Sequence, residues 1–315
     1  MSWRPFIARY GTALATLVLF AVFAATARNF LAMGNLLGIA KHISHIAILG
    51  TGFALALTAA ELDLSFANVC SLAAVTTGLL VHRGLPPGLA VAAGLGIGIA
   101  CGLANGLIVT LLKVPSLIAT LAIAAIANGL AFMLTDGVSV VGRWPAAFTM
   151  LGRGDLLGIP ALACWMAAVT GLAWFLLNRT RLGFRLICTG ENLNAARLAG
   201  LPVRRLKIIA LTLSGGAAGL AAVLLTASLS SAAPNMAGDF LLTAIAAVLL
   251  GMTMFRPGRA NIPGTLVGAL TIGMLGNGLV LLGAPYYVQD ICLGLIIIGS
   301  VAASASVLTR AAFEV

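Results

Sequence analysis

Apolar residues run through this chain in ten long stretches, at about 11–27, 43–60, 64–81, 87–112, 115–135, 158–177, 208–227, 240–254, 262–283 and 288–308. A helix needs about 20 mainly apolar residues to cross the hydrocarbon of a bilayer, and the stretches cluster near that length. The pattern predicts an all-α, polytopic membrane protein of about ten transmembrane helices, folded as one transmembrane domain over residues 1–315. Two connections are long enough to hold structure of their own, 136–157 and 178–207. The first contains Asp136-Gly137, Gly142-Arg143-Trp144-Pro145 and Gly152-Arg153-Gly154-Asp155, which read as turns with an aromatic at the membrane interface. It is expected to be a connecting loop or a landing surface for an external protein.

Composition agrees with a membrane setting. Hydrophobic residues are 61% and charged residues 8% of the 315, too little polar surface to clothe a soluble domain of this length. The net charge of +10 points to orientation in the bilayer rather than to nucleic acid, because the cations sit in the connections. With the N-terminus inside, Arg28, Lys41, Arg83, Arg143 and Arg153 fall outside and the other thirteen of the eighteen Lys and Arg, including Arg4, Arg9, Arg256 and Arg310, fall on the cytoplasmic side. Cytoplasmic loops carry the excess of Lys and Arg, so both termini are expected in the cytoplasm. The first stretch follows Arg4 and Arg9 and ends in Ala25-Thr26-Ala27, which resembles a signal-cleavage site, but its run of about 17 apolar residues exceeds the usual signal core. A retained helix keeps the charge asymmetry intact.

Candidate metal and redox chemistry is sparse. The five cysteines (Cys70, Cys101, Cys164, Cys188, Cys292) form no CxxC pair and four lie in apolar stretches, as small packing residues do. His42 and His45 can share a helix face but lack a third ligand, and a structural role at the interface is expected. Neither G-x-x-x-x-G-K-[ST] nor HExxH nor GxSxG occurs, so nucleotide hydrolysis would need another subunit and an intramembrane hydrolase lacks its usual residues.

Polar groups within the apolar stretches are few, and intramembrane polar residues mark paths for solutes or tie helices together. Asn68, Asn105, Asn128 and Asn277 are such groups, each amide having donors and an acceptor suited to hydroxyls. Glu61-Leu62-Asp63-Leu64-Ser65 is the other cluster, and Asp63 and Ser65 join the path candidates. It reads equally as a cytoplasmic turn or as a helix broken at membrane depth, where free backbone groups line a cavity. Glycines at i, i+4 through Gly94, Gly98, Gly102 and Gly106 predict close helix approach. Asn105-Gly106-Leu107 recurs as Asn277-Gly278-Leu279 five stretches later, in a helix of opposite direction, which predicts an inverted repeat.

Residues 178–207 hold seven of the eighteen Lys and Arg between two membrane-length runs. Asn192 is a good N-cap, Asn194 to Ala199 suits a helix, and Gly200-Leu201-Pro202 ends it. The product is a short helix along the membrane face, slim at Ala195 and Ala196, with a charge at Arg197 and an apolar anchor at Leu198. Asn194, Ala195, Ala196 and Gly200 carry the spacing of the E-A-A-x-x-x-G coupling motif of bacterial ATP-binding-cassette importers, with Asn in place of Glu.

From about Ile48 to Ala302 the chain resembles a permease of the ribose/arabinose/xylose class of those importers. The matching pieces are Leu62-Asp63-Leu64-Ser65, Gly102 with Asn105-Gly106-Leu107, Lys113-Val114-Pro115 with Thr120-Leu121, Thr180-Arg181-Leu182-Gly183 and Gly190-Glu191-Asn192 through Gly200. Further on come Ser214-Gly215-Gly216, Ala244-Ile245-Ala246-Ala247, Pro263-Gly264-Thr265 and Asn277-Gly278-Leu279. The resemblance implies a permease domain in the bacterial inner membrane, paired with a second permease subunit, identical or related. It implies a cytoplasmic ATPase that binds ATP and Mg, this chain holding no cofactor itself, and a periplasmic solute-binding protein. Gly190 to Gly200 would dock on the ATPase, and the sugar would be imported unchanged. Departures from the family pattern are Ala60-Glu61 for Gly-Gly, Leu241-Leu242-Thr243 for Glu-Leu-Asp, and a glycine-rich turn reduced to Arg256-Pro257-Gly258-Arg259; they leave the identity of the solute open. The alternative is a carrier coupled to an ion through Glu61, Asp63 or Asp290.

Overall fold

A computed structural model describes the backbone of residues 3–255 and 258–313 and the side chains of 12–255 and 258–302. Arg256 and Pro257, and the side chains of Arg4, Arg9 and Arg310, lie outside the described residues. The helices are α1 (Trp3–Thr26), α2 (Met33–Thr58), α3 (Phe66–His82), α4 (Pro87–Leu111), α5 (Ser116–Thr135), α6 (Ala146–Arg153), α7 (Ala161–Arg179), α8 (Arg181–Glu191), α9 (Leu193–Leu198), α10 (Val203–Leu229), α11 (Phe240–Gly251), α12 (Ile262–Leu281) and α13 (Tyr286–Phe313). Among the described residues six of them (α2, α4, α5, α7, α10 and α12) are long and apolar enough to cross a membrane, and shorter apolar helical stretches lie in α1, α3, α11 and α13. Helices start directly after a proline at Pro86, Pro115, Pro145, Pro160 and Pro202. Proline disfavours helix in the residue before it and ends the preceding segment there.

Helix α2 begins ten residues before its apolar stretch. Asn35, Lys41 and His42 interrupt the hydropathy of that segment but not its hydrogen-bonded ladder, and Asn35 has a partner in α12 that hydropathy cannot register. A larger departure concerns 136–157, expected to be turns. It contains the eight-residue α6 and short pairings: Val140–Val141 (β1) is antiparallel to Ser231–Ala232 (β4), and Asp155–Leu156 (β2) to Ile159–Pro160 (β3). Trp144 is only 8% exposed and packs edge-on against Phe148, ring centroids 5.7 Å apart. It packs as a core residue, because Phe148 and Gly152 share the face of α6 that closes on α10.

The centre of the bundle is α2, buried along most of its length, and α10. Helices α4, α5 and α7 turn most of their apolar surface outward, as lipid-facing helices do, with Leu103, Leu121, Ile126 and Leu172 exposed. The inward face of α4 is Ala90, Gly94, Gly98, Gly102, Gly106 and Thr110 with Asn105, a stripe of small residues. A side chain at Gly98 would strike the backbone of Gly215 and Gly219 in α10, and one at Gly102 the backbone of Leu211. Close backbone approach of this kind supplies the packing that the hydrophobic effect cannot supply in lipid. The same arrangement recurs elsewhere: α10 packs on α3 and α4 as α2 packs on α11 and α12, and α3 meets α4 and α5 as α11 meets α12 and α13.

Candidate functional site

One end of the bundle is built from 178–207. Sequence reasoning anticipated α9 there but not α8, whose sequence RLGFRLICTGE is too polar to stand out as a span. The Thr180 hydroxyl caps α8 by accepting from Gly183 N, 3.1 Å. Asn192 caps α9 by accepting from Ala195 N, 2.9 Å. Gly200, at φ +75°, ends α9: its N–H donates to Arg197 O and that of Leu201 to Ala196 O, the paired closure that needs a left-handed residue and favours glycine. On α9 only Ala196 is buried; Asn194, Ala195 and Arg197 are exposed, and Leu198 is 91% exposed. Phe184 on α8 is exposed as well. Two large apolar side chains in a strongly basic setting form a surface suited to a protein partner. An ion pair of Glu191 with Arg259, 2.8 Å, joins α8 to the turn before α12; both groups are well exposed, so its stabilisation is small.

Helix α8 reaches the core through Gly190, which lies against the Thr58 carbonyl and the Ala60 backbone N. Beyond Ala60 the chain runs without regular structure from Glu61 to Ser65 within the bundle. Its backbone is satisfied by side chains of α5: Leu62 N donates to Ser116 Oγ (3.2 Å), Leu64 N to Thr120 Oγ1 (3.1 Å), and Thr120 Oγ1 lies 3.2 Å from Leu62 O. An exposed turn would use water instead, so the segment has the character of a helix break enclosed by protein. Glu61 pairs with Lys207 of α10 at 2.5 Å, the two side chains 3% and 14% exposed.

The break gathers a buried polar cluster. Asp63 Oδ1 accepts from Ser65 N (2.9 Å) and Ser65 Oγ (2.6 Å), and Asn105 Nδ2 donates to Ser65 Oγ (2.8 Å). Ser214 of α10 also lies beside the Asp63 carboxyl. All four residues are buried; the Ser214 hydroxyl faces the Asp63 carboxyl as its partner, and Asn105 Oδ1 has no hydrogen bond within the protein. A buried amide oxygen without a partner is costly, and this one belongs to a cluster that also holds a buried carboxyl. Sequence reading named Asp63 and Ser65 in one cluster and Asn105 apart from it; the structure brings the three together and adds Ser214.

The remaining amides are dispersed. Asn277 exchanges two hydrogen bonds with Asn35, 2.9 and 3.0 Å, which tie α12 to α2. Asn68 on α3 and Asn128 on α5 are half-buried. None of these three joins the Asp63 cluster. At the opposite end of the bundle two adjoining cavities of about 560 and 680 Å³ open between α2, α6, α11 and α13. Their lining includes His42, His45, Asp239, Phe240 and Gln289 and none of the six path candidates. The histidines were visible in the sequence; only the fold sets them beside α11.

Three comparisons identify the fold and the family. Residues 35–301 match the family of permease components described as a branched-chain amino acid transport system. The ribose import permease protein RbsC of Escherichia coli K12 is 37% identical over 288 residues, covering 90% of each chain. The L-arabinose transport system permease protein AraH of the same organism is 34% identical, covering 93% of this chain and 89% of its own. A solved inward-facing conformation of a metal-chelate type ABC transporter shares the fold over 99% of both chains, with a TM-score of 0.50 at 15% identity. The chain belongs to this permease family, and the ion-coupled alternative is set aside.

Proposed function

We propose that this member of the permease family carries a monosaccharide through the bacterial inner membrane as one half of a two-permease path, driven by a separate ATPase that binds ATP and Mg. The observation that carries the reading is α9, capped at both ends and presenting Leu198, Arg197 and the slim Ala195 outward. A helix held so firmly at the surface transmits rigid-body motion, and α8 passes it to the end of α2 through Gly190. In this reading the six long helices and the apolar parts of α1, α3, α11 and α13 make ten spans, with both termini and α8 and α9 in the cytoplasm. The excess of cations on that side supports it. The matched packing of α2 to α5 and α10 to α13 supports an inverted repeat.

Sugar is supported as cargo by the relatives named for ribose and arabinose, and a periplasmic binding protein would deliver it. Within the path, Asp63, Ser65 and Asn105 stand where α8 meets the core and are placed to gate it; Asn68 and Asn128 are further contacts. Asn277 is assigned to joining α12 and α2. The test is to express the chain with the ATPase and binding protein encoded beside it. The reading requires that the ATPase co-purify with the permease and that ATP-dependent uptake of D-ribose or L-arabinose need all three. Uptake by the permease alone in liposomes would overturn it.

A further inference from the structure

The cavity of about 560 Å³ at the end away from α8 and α9 is lined by aromatic, polar and charged side chains together. Phe240 of α11 sets its ring centroid 6.1 Å from that of His42 and 5.8 Å from that of His45. His45 is 6% exposed, borders the cavity, and its Nδ1 has no hydrogen-bond partner. Arg153, also in the lining, donates from Nε to the Ser228 carbonyl at 2.7 Å, which fixes its guanidinium. The Gln289 amide lies against Gly276 of α12, where a β-carbon would stand 3.1 Å from its nitrogen and oxygen. The second cavity shares Asp239, Thr243 and Gln289 with the first.

Charge narrows the ligand. Lys41 and Arg153 line the first cavity with Asp239, and Asp290 joins Asp239 in the second, so groups of both signs are present. A passage selective for an ion is lined by one sign of charge. A mixed set of donors and acceptors beside an apolar ring face suits a neutral molecule with hydroxyls on its edges and C–H groups on its faces. The volume lies within the range of small-molecule sites, about 300–1,000 Å³.

We propose that this cavity is a binding site for an uncharged monosaccharide as it enters the permease, with His42, His45 and Phe240 against the sugar face and Asp239 and Gln289 bonded to hydroxyls. It rests on the importer reading and adds to it the outer site. The Asp239 carboxylate is replaceable without disturbing the core, since it is exposed and makes no cap on α11.

The permease is reconstituted in proteoliposomes with its ATPase and binding protein, with D-ribose and L-arabinose as separate probes, and uptake and ATP hydrolysis are measured together. Asp239→Ala and Gln289→Ala should each lower uptake about tenfold, the loss of roughly one solute hydrogen bond, while hydrolysis continues, so that ATP consumed per sugar rises by the same factor. Thr243→Trp, which fills the space shared by both cavities, should stop uptake with hydrolysis retained; if it does not insert, the two alanine variants decide alone. Variants that match the wild type, or that lose uptake and hydrolysis in parallel, overturn the site. A wild-type chain that binds no ATPase overturns the importer reading and this proposal with it.

Discussion

Gly190 of α8 and Thr58 of α2 touch backbone to backbone: a β-carbon at Gly190 would overlap the Thr58 carbonyl oxygen. That contact links the exposed surface of α8 and α9 to the end of α2, just before the break at Glu61 to Ser65. Gly190→Val forces the two apart, an overpacking that costs about 1–3 kcal/mol. The expected outcome is a permease that inserts and retains ATPase at reduced stability but takes up no sugar. Membrane fractionation, co-purification and uptake assays check it, and normal uptake would remove the link.

Leu198 is the apolar side chain most available to a partner. Leu198→Glu touches nothing inside the fold and should change stability by no more than about 0.5 kcal/mol. Full burial of a leucine contributes about 1.5–3 kcal/mol, so ATPase association should weaken by about tenfold to a hundredfold. Titration of the purified ATPase against both forms measures this.

The Glu61 and Lys207 pair is almost enclosed. Lys207→Met leaves a buried carboxylate without its partner and should destabilise by about 3–5 kcal/mol. Adding Glu61→Gln removes the stranded charge and should recover most of that loss. Thermal unfolding in detergent distinguishes this from a surface pair, for which the second change would recover nothing.

Asn277→Ala should leave uptake unaltered and lower stability, because the amide is engaged with Asn35. Double-mutant cycles across membrane helices average about 0.6 kcal/mol, and a coupling of that order between Asn35→Ala and Asn277→Ala is expected. Altered uptake at full stability would return Asn277 to the path.

Much of the architecture was legible because lipid demands continuous apolar helices and leaves the polar connections conspicuous. Asn192 and Gly200 announced α9 by chemistry that acts within a few residues, and both ends formed as their side chain and backbone require. Helices α6 and α8 were hidden: α6 is short and packed by tertiary contact, and α8 is too polar to register against its neighbours. The break at Glu61 to Ser65 was ambiguous because its hydrogen-bond partners, Ser116 and Thr120, lie more than fifty residues away.

What the amino-acid order alone determined is therefore the membrane setting, the helical class, the capped surface helix and the resemblance to sugar permeases. Only the tertiary structure decided that Asp63, Ser65, Asn105 and Ser214 share one buried site, that Asn277 is engaged with Asn35, and that His42 and His45 border a cavity. The reason is physical. A helix apolar on every side gives no sign of which face turns inward, and that choice is made by backbone approach at small residues and by hydrogen bonds between distant segments.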